Sequence, residues 1–180
     1  PSSSSAASDV YKRQSMDNQW SPQINLGVSV LIPETYVSDL DVRLGLYRRL
    51  SNLNKKVEFE GFAAELIDRF GKLPSEVNTL LLVVRIKSVC KKAGIGKLDG
   101  GPKGATVQFY NDKFISPEGL VEFIKNQNGT AKIKDNKLII RRDWKKNADK
   151  FKGAFAIARD LAEIAASFEK NIQKKQKSNF

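Results

Sequence analysis

The sequence predicts an α+β domain: a helical N-terminal half after one leading strand, then a small, mostly antiparallel sheet covered by helices. Three observations predict it. Apolar and polar residues alternate only briefly, near residue 24, and apolar residues then recur at helical spacing through residue 93. From residue 95 the pattern changes to short β-type runs punctuated by Gly, Asp and Asn, with helical patterns between them. A hydrophobic content of 41% over 180 residues is enough for one domain with a sizeable core.

Residues 1–19 open with Ser/Ala-rich, aperiodic sequence, begin with Pro and reach their first Met at position 16. They read as a disordered or non-native tail. The ordered part starts at Trp20. Ile24, Leu26, Val28 and Val30 alternate with Asn25, Gly27 and Ser29, which predicts a strand ended by Pro33. Ser38, with Asp41 three residues on, predicts a helix N-cap. The helix runs from about residue 39 to 54, with Leu40, Leu44, Tyr47 and Leu46, Leu50, Leu53 at helical spacing and Arg43, Arg48 and Arg49 on its surface. A second helix follows from about 58 to 70. The third spans about 74 to 93, where the continuously apolar Leu80 to Val84 predicts the most buried helix and Gly94 predicts its end.

Short strands are predicted at 95–98 and 105–110, around a loop at 99–104. A helix is predicted at 117–126. Ala131 to Arg142 reads as a hairpin turning at Asp135-Asn136, residue types that tight turns favour. A last helix starts near Lys145, with Phe151, Phe155, Ala158, Leu161, Ala165 and Phe168 as its core stripe. Residues 171–180 read as a basic, frayed tail, so the folded domain is predicted to occupy 20–170.

Composition excludes much chemistry. There is no histidine, so the commonest general base and metal ligand are missing. The single Cys90 rules out an intrachain disulfide and Cys/His zinc sites, and reads as a buried thiol. No metal, cofactor or catalytic residue is predicted. No apolar run approaches the roughly 20 residues of a membrane span, and no secretory signal is found, which together predict a cytoplasmic protein. Net charge is +11 and unevenly placed: residues 1–80 carry −1 and residues 81–180 carry +12. A nucleic-acid-binding module is therefore the alternative function class, with Arg141-Arg142-Asp143-Trp144-Lys145-Lys146 as its candidate contact; the commoner reading of that run is a ring that anchors the start of the last helix among solvated cations. The Gly100-Gly101-Pro102-Lys103-Gly104 run fails the spacing of a phosphate-binding loop and reads as a turn.

The stretch Ala63 to Pro74 holds the candidate site. Phe59, Phe62, Leu66, Ile67 and Phe70 are placed on one side of its helix, with Glu65, Asp68 and Arg69 on the other at neighbouring positions. Gly71 suits the left-handed position that ends a helix and Pro74 a first helical turn. Spacing alone is consistent with a surface ion pair between Glu65 and Arg69. Acid/base use of Glu65 and Asp68 would need raised pKa values in a pocket.

Three ordered motifs carry a family resemblance: Ile24-Asn25-Leu26-Gly27 through Ile32-Pro33-Glu34-Thr35-Tyr36, Asp41-Val42-Arg43-Leu44-Gly45-Leu46-Tyr47-Arg48-Arg49-Leu50, and Glu65-Leu66-Ile67-Asp68-Arg69-Phe70-Gly71-Lys72-Leu73-Pro74. In register, they make this chain resemble the C-terminal domain of the bacterial transcription-repair coupling factors (Mfd, TRCF). The resemblance runs from about Trp20 to Ala165. Beyond Lys97 only the pattern of elements agrees, and nothing is carried over to the basic tail. It implies a piece of an ATP-driven DNA translocase that displaces stalled RNA polymerase and recruits the excision-repair protein UvrA. The domain itself is implied to be non-catalytic and autoinhibitory. It masks the UvrA-binding module of the same protein, and Glu65, Asp68 and Arg69 match the family's interlock residues facing partner arginines. ATP and magnesium are implied to bind elsewhere in the parent. DNA and RNA polymerase are implied partners through the parent, and the isolated domain is implied to be a monomer.

Overall fold

The computed structural model describes residues 19–180. The reading of the first 18 residues therefore lies outside the described residues. Strand β1 (Gln23–Asn25) precedes helices α1 (Leu40–Ser51), α2 (Lys56–Phe70) and α3 (Ser75–Ala93). The hairpin β2 (Ile95–Gly101) and β3 (Gly104–Phe109), helix α4 (Pro117–Lys125), the hairpin β4 (Ala131–Lys134) and β5 (Lys137–Arg141), and helix α5 (Asn147–Ser178) follow. The strands form one sheet in the order β1-β2-β3-β5-β4. β1 runs parallel to β2 and the remaining pairs are antiparallel.

Two hydrophobic cores result, joined by α3. Val77 and Leu80 of α3 pack with Ile32, Val37, Leu46, Leu50, Phe59, Phe62 and Leu66 of the helical half. Val83, Ile86, Cys90 and Ala93 pack with the inner face of the sheet and with α4 and α5. The apolar run in α3 is not buried all round, because a helix touching two cores still leaves one side to solvent: Leu82 is 44% exposed. α5 adds Ala154 and Ile157 to the predicted stripe, while Phe151 and Phe155 are only partly buried.

Several elements differ from the sequence-based expectation. β1 stops at Asn25 because Gly27 (φ 66) turns the chain, with its N–H donating to the Asn25 side chain at 3.3 Å. Val30 and Leu31 are consequently exposed. The N-cap of α1 is Asp39 rather than Ser38, its carboxylate accepting from the Val42 N–H. The glycine run at 100–104 is mostly strand, with only Pro102 and Lys103 between β2 and β3. Gly104 has φ 126, and a Cβ there would lie 2.0 Å from the Ile140 carbonyl oxygen. Close approach of β5 therefore demands glycine, with no phosphate cradle. The Asp135-Asn136 turn has φ 52 and 59, the paired positive values of a type I′ hairpin. α5 continues through Ser178 instead of fraying from 171, since its Lys, Gln and Glu residues are good helix formers with no breaker before Asn179. Among the described residues no helix is long and apolar enough to cross a membrane.

Candidate functional site

α2 is fixed at both ends. At its start the Glu58 carboxylate accepts from the N–H groups of Asn54 and Lys55 at 2.8 and 2.7 Å, which holds the acid below its ordinary pKa. Phe59, Phe62 and Leu66 then bury its inner face. Ile67 does not join them and is 50% exposed, because it sits about 100° around the helix from Leu66. Phe70 is half-buried and meets Tyr36 edge-on, with ring centroids 5.8 Å apart. At the helix end the Tyr36 hydroxyl shares its proton between the carbonyls of Leu66 and Gly71, at 3.0 and 2.8 Å. Gly71 adopts φ 90 and ψ −166, a positive-φ region outside the left-handed helical well and essentially restricted to glycine. Pro74 is the residue before α3 rather than its first turn, and its carbonyl accepts from Val77 and Asn78.

This anchored end carries the three predicted side chains, and the Glu65–Arg69 pair that spacing suggests is present, but a residue from another helix dominates it. The main partner of Glu65 is Arg49 of α1. The guanidinium donates to both carboxylate oxygens, at 2.6 and 2.8 Å. Arg69 adds a third, longer contact at 3.2 Å. Both guanidinium groups also lie over aromatic rings, Arg49 on Phe62 at 5.1 Å and Arg69 on Phe70 at 4.8 Å. The Arg49 hydrogen bonds, reinforced by that of Arg69, hold Glu65 down at about 2 against a smaller opposing effect of desolvation. Arg49 is raised in turn by the same carboxylate. Asp68 is exposed, and its carboxylate makes no ion pair or hydrogen bond with another described residue. Neither carboxylate lines the cleft between α4 and α5 or the one between Trp20 and α3. A strongly ionised Glu65 is the opposite of what acid/base catalysis asks for.

Arg49 belongs to the cluster but is 16 positions from Glu65, beyond any helical spacing rule. The only sequence signal was its place among the surface arginines of α1. The other candidate contact, at 141–146, loses its aromatic ring to the core, where the ring anchors the start of α5. Trp144 is 7% exposed, with its indole lying against Gly153. It fixes the start of α5 and is closed to base stacking. Arg142 is engaged by Thr130, Gln127 and the Arg141 carbonyl.

The family model described as the TRCF domain matches residues 26–120, more than half of the chain. A transcription-repair-coupling factor of Rickettsia bellii is 49% identical over 119 residues, covering 66% of this chain and 10% of that protein. Those of Rickettsia conorii and Escherichia coli are 44% and 33% identical, over 72% and 58% of this chain and 12% and 9% of theirs. The chain thus spans about a tenth of the length of the curated relatives it matches. A solved structure, the C-terminal domain of a transcription-repair coupling factor, superposes with a TM-score of 0.69 at 23% identity. The alignment covers 82% of this chain and 96% of that one, which shows a shared α+β fold.

Proposed function

The chain belongs to the transcription-repair-coupling factor family, and on that premise we propose that it is a non-catalytic, autoinhibitory docking domain. It masks the UvrA-binding module of the same protein through an intramolecular interface centred on Glu65, Asp68 and Arg69. The parent is an ATP-driven DNA translocase that displaces stalled RNA polymerase. ATP and magnesium bind elsewhere in that parent, in keeping with the lack of a Walker motif in these residues.

One observation carries the reading: an unpaired carboxylate stands beside a locked one on a helix end that is itself tied down. Glu65 already accepts three hydrogen bonds, close to the roughly four that a carboxylate can take. Its work is to hold Arg49 and Arg69 in place. Asp68 is the free acceptor, able to take a two-pronged contact from a partner arginine. Because Glu65 and both arginines are held beforehand, docking avoids an ordering cost of roughly 0.5–1.5 kcal/mol per side chain.

The test is binding of this chain in trans to the UvrA-recruiting module of the same factor, by calorimetry. Glu65→Ala/Asp68→Ala/Arg69→Ala weakens binding while thermal unfolding stays cooperative. A triple variant that binds as tightly as the original chain would sink the interface.

A further inference from the structure

One charged surface is left over by this function. The strand register settles which residues share the outer face of the sheet. Lys134 pairs with Lys137, Lys132 with Ile139, Ile139 with Thr106, and Arg141 with Gly104. Thr106 pairs with Asp99 and Gln108 with Lys97. Directly paired residues point to the same side, and alternate residues to opposite sides. Leu98, Val107, Leu138 and Ile140 therefore face the core, where all are buried. Lys97, Lys132, Lys134, Lys137 and Arg141 stand together on the other side, all exposed.

Five cations face one strand carboxylate there, Asp99, which lies 3.7 Å from Lys97. Strands lie about 4.8 Å apart, so from β2 to β4 the positive surface is about 14 Å wide. Lys132 and Lys134 are about 7 Å apart along their strand. Protection of a sheet edge explains lysines on β4, which is an edge strand. It does not explain Lys97, Lys137 and Arg141, which lie on inner strands.

We propose that this outer sheet face binds the phosphate backbone of duplex DNA without reading its sequence. Cations spread over an open surface suit a polyphosphate. The strands place no aromatic ring on this face to stack unpaired bases, which favours duplex over single strand. Ile139 is the one large apolar side chain that they place there, too little to enter a bilayer.

The test is fluorescence anisotropy of a short labelled duplex with the full chain, across a salt series. Four or five phosphate contacts give a slope of log K against log salt of about −4. Lys132→Glu/Lys134→Glu/Lys137→Glu weakens binding by at least about tenfold and flattens the slope by about 3. The charge-matched control Lys174→Glu/Lys175→Glu/Lys177→Glu, on exposed turns of α5, leaves both nearly unchanged. The neutral set Lys132→Gln/Lys134→Gln/Lys137→Gln repeats the measurement if the Glu variant melts early. Four results overturn the proposal: no duplex binding at low salt, equal loss in sheet and α5 variants, tighter binding of single strand than duplex, or preference for equimolar phosphatidylcholine/phosphatidylserine vesicles over duplex.

Discussion

Replacing Arg49 by Gln tests the electrostatics of the site most directly. The change removes a guanidinium that donates to both Glu65 oxygens at 2.6 and 2.8 Å, and lifts a cation off the Phe62 ring. The pair is partly solvated, with side chains 50% and 35% exposed, so the screened ion pair contributes only roughly 0.2–1 kcal/mol. The ring contact adds about 0.5–1 kcal/mol, so the variant loses about 1–2 kcal/mol at neutral pH. The pH dependence separates the two effects. Glu65 has a folded-state value of about 2, depressed mainly by Arg49, against about 4.3 when unfolded. Its stabilisation is complete above the unfolded value and is lost as pH falls through the folded one. The stability gap between original and variant therefore narrows from about pH 4.3 to about pH 2, leaving the ring contribution. Urea denaturation across this range measures the gap. Carbon-detected NMR titration of the Glu65 carboxylate measures its cause. In the variant the midpoint rises but stays below the ordinary value of about 4.3, because Arg69 remains. An original chain in which Glu65 titrates near that ordinary value, or a variant with an unmoved midpoint, refutes the reasoning.

Further outcomes follow from the packing. Gly104→Ala places a methyl group 2.0 Å from the Ile140 oxygen at φ 126; β3 and β5 must part, at a cost of at least about 1–3 kcal/mol read by chemical denaturation. Tyr36→Phe removes the hydroxyl between the Leu66 and Gly71 carbonyls. It costs about 0.5–1.5 kcal/mol, and hydrogen exchange quickens at the C-terminal turn of α2. Cys90 is fully buried, with burial pushing its thiol up to about 12; it resists thiol reagents in the native state and reacts at the rate of unfolding.

The local rules worked where the cause is local. Helical spacing located the five helices to within a few residues, apart from the C-terminal end of α5, because one buried face repeats every turn. Gly94, in the left-handed conformation, ends α3 as read. The Asp135-Asn136 turn was legible because those side chains tolerate positive φ wherever they stand. Errors of the same reading have non-local causes. Ile67 shares a helix with Leu66 but reaches no partner. Val30 continues the alternation of β1 in sequence but is left exposed once Gly27 turns the chain.

Composition and periodicity by themselves determined an α+β domain without histidine, with three charged residues on the end of one helix and a basic second half. Only the tertiary structure could place β1 parallel to β2, with Gln23 beside Lys97 across three intervening helices. It also brought Arg49 to Glu65 and gathered Lys97, Lys132, Lys134, Lys137 and Arg141 onto one sheet face. The physical reason is the same in each case. Which segments lie side by side is decided by the joint burial of two cores through α3, and no short window of residues contains that competition.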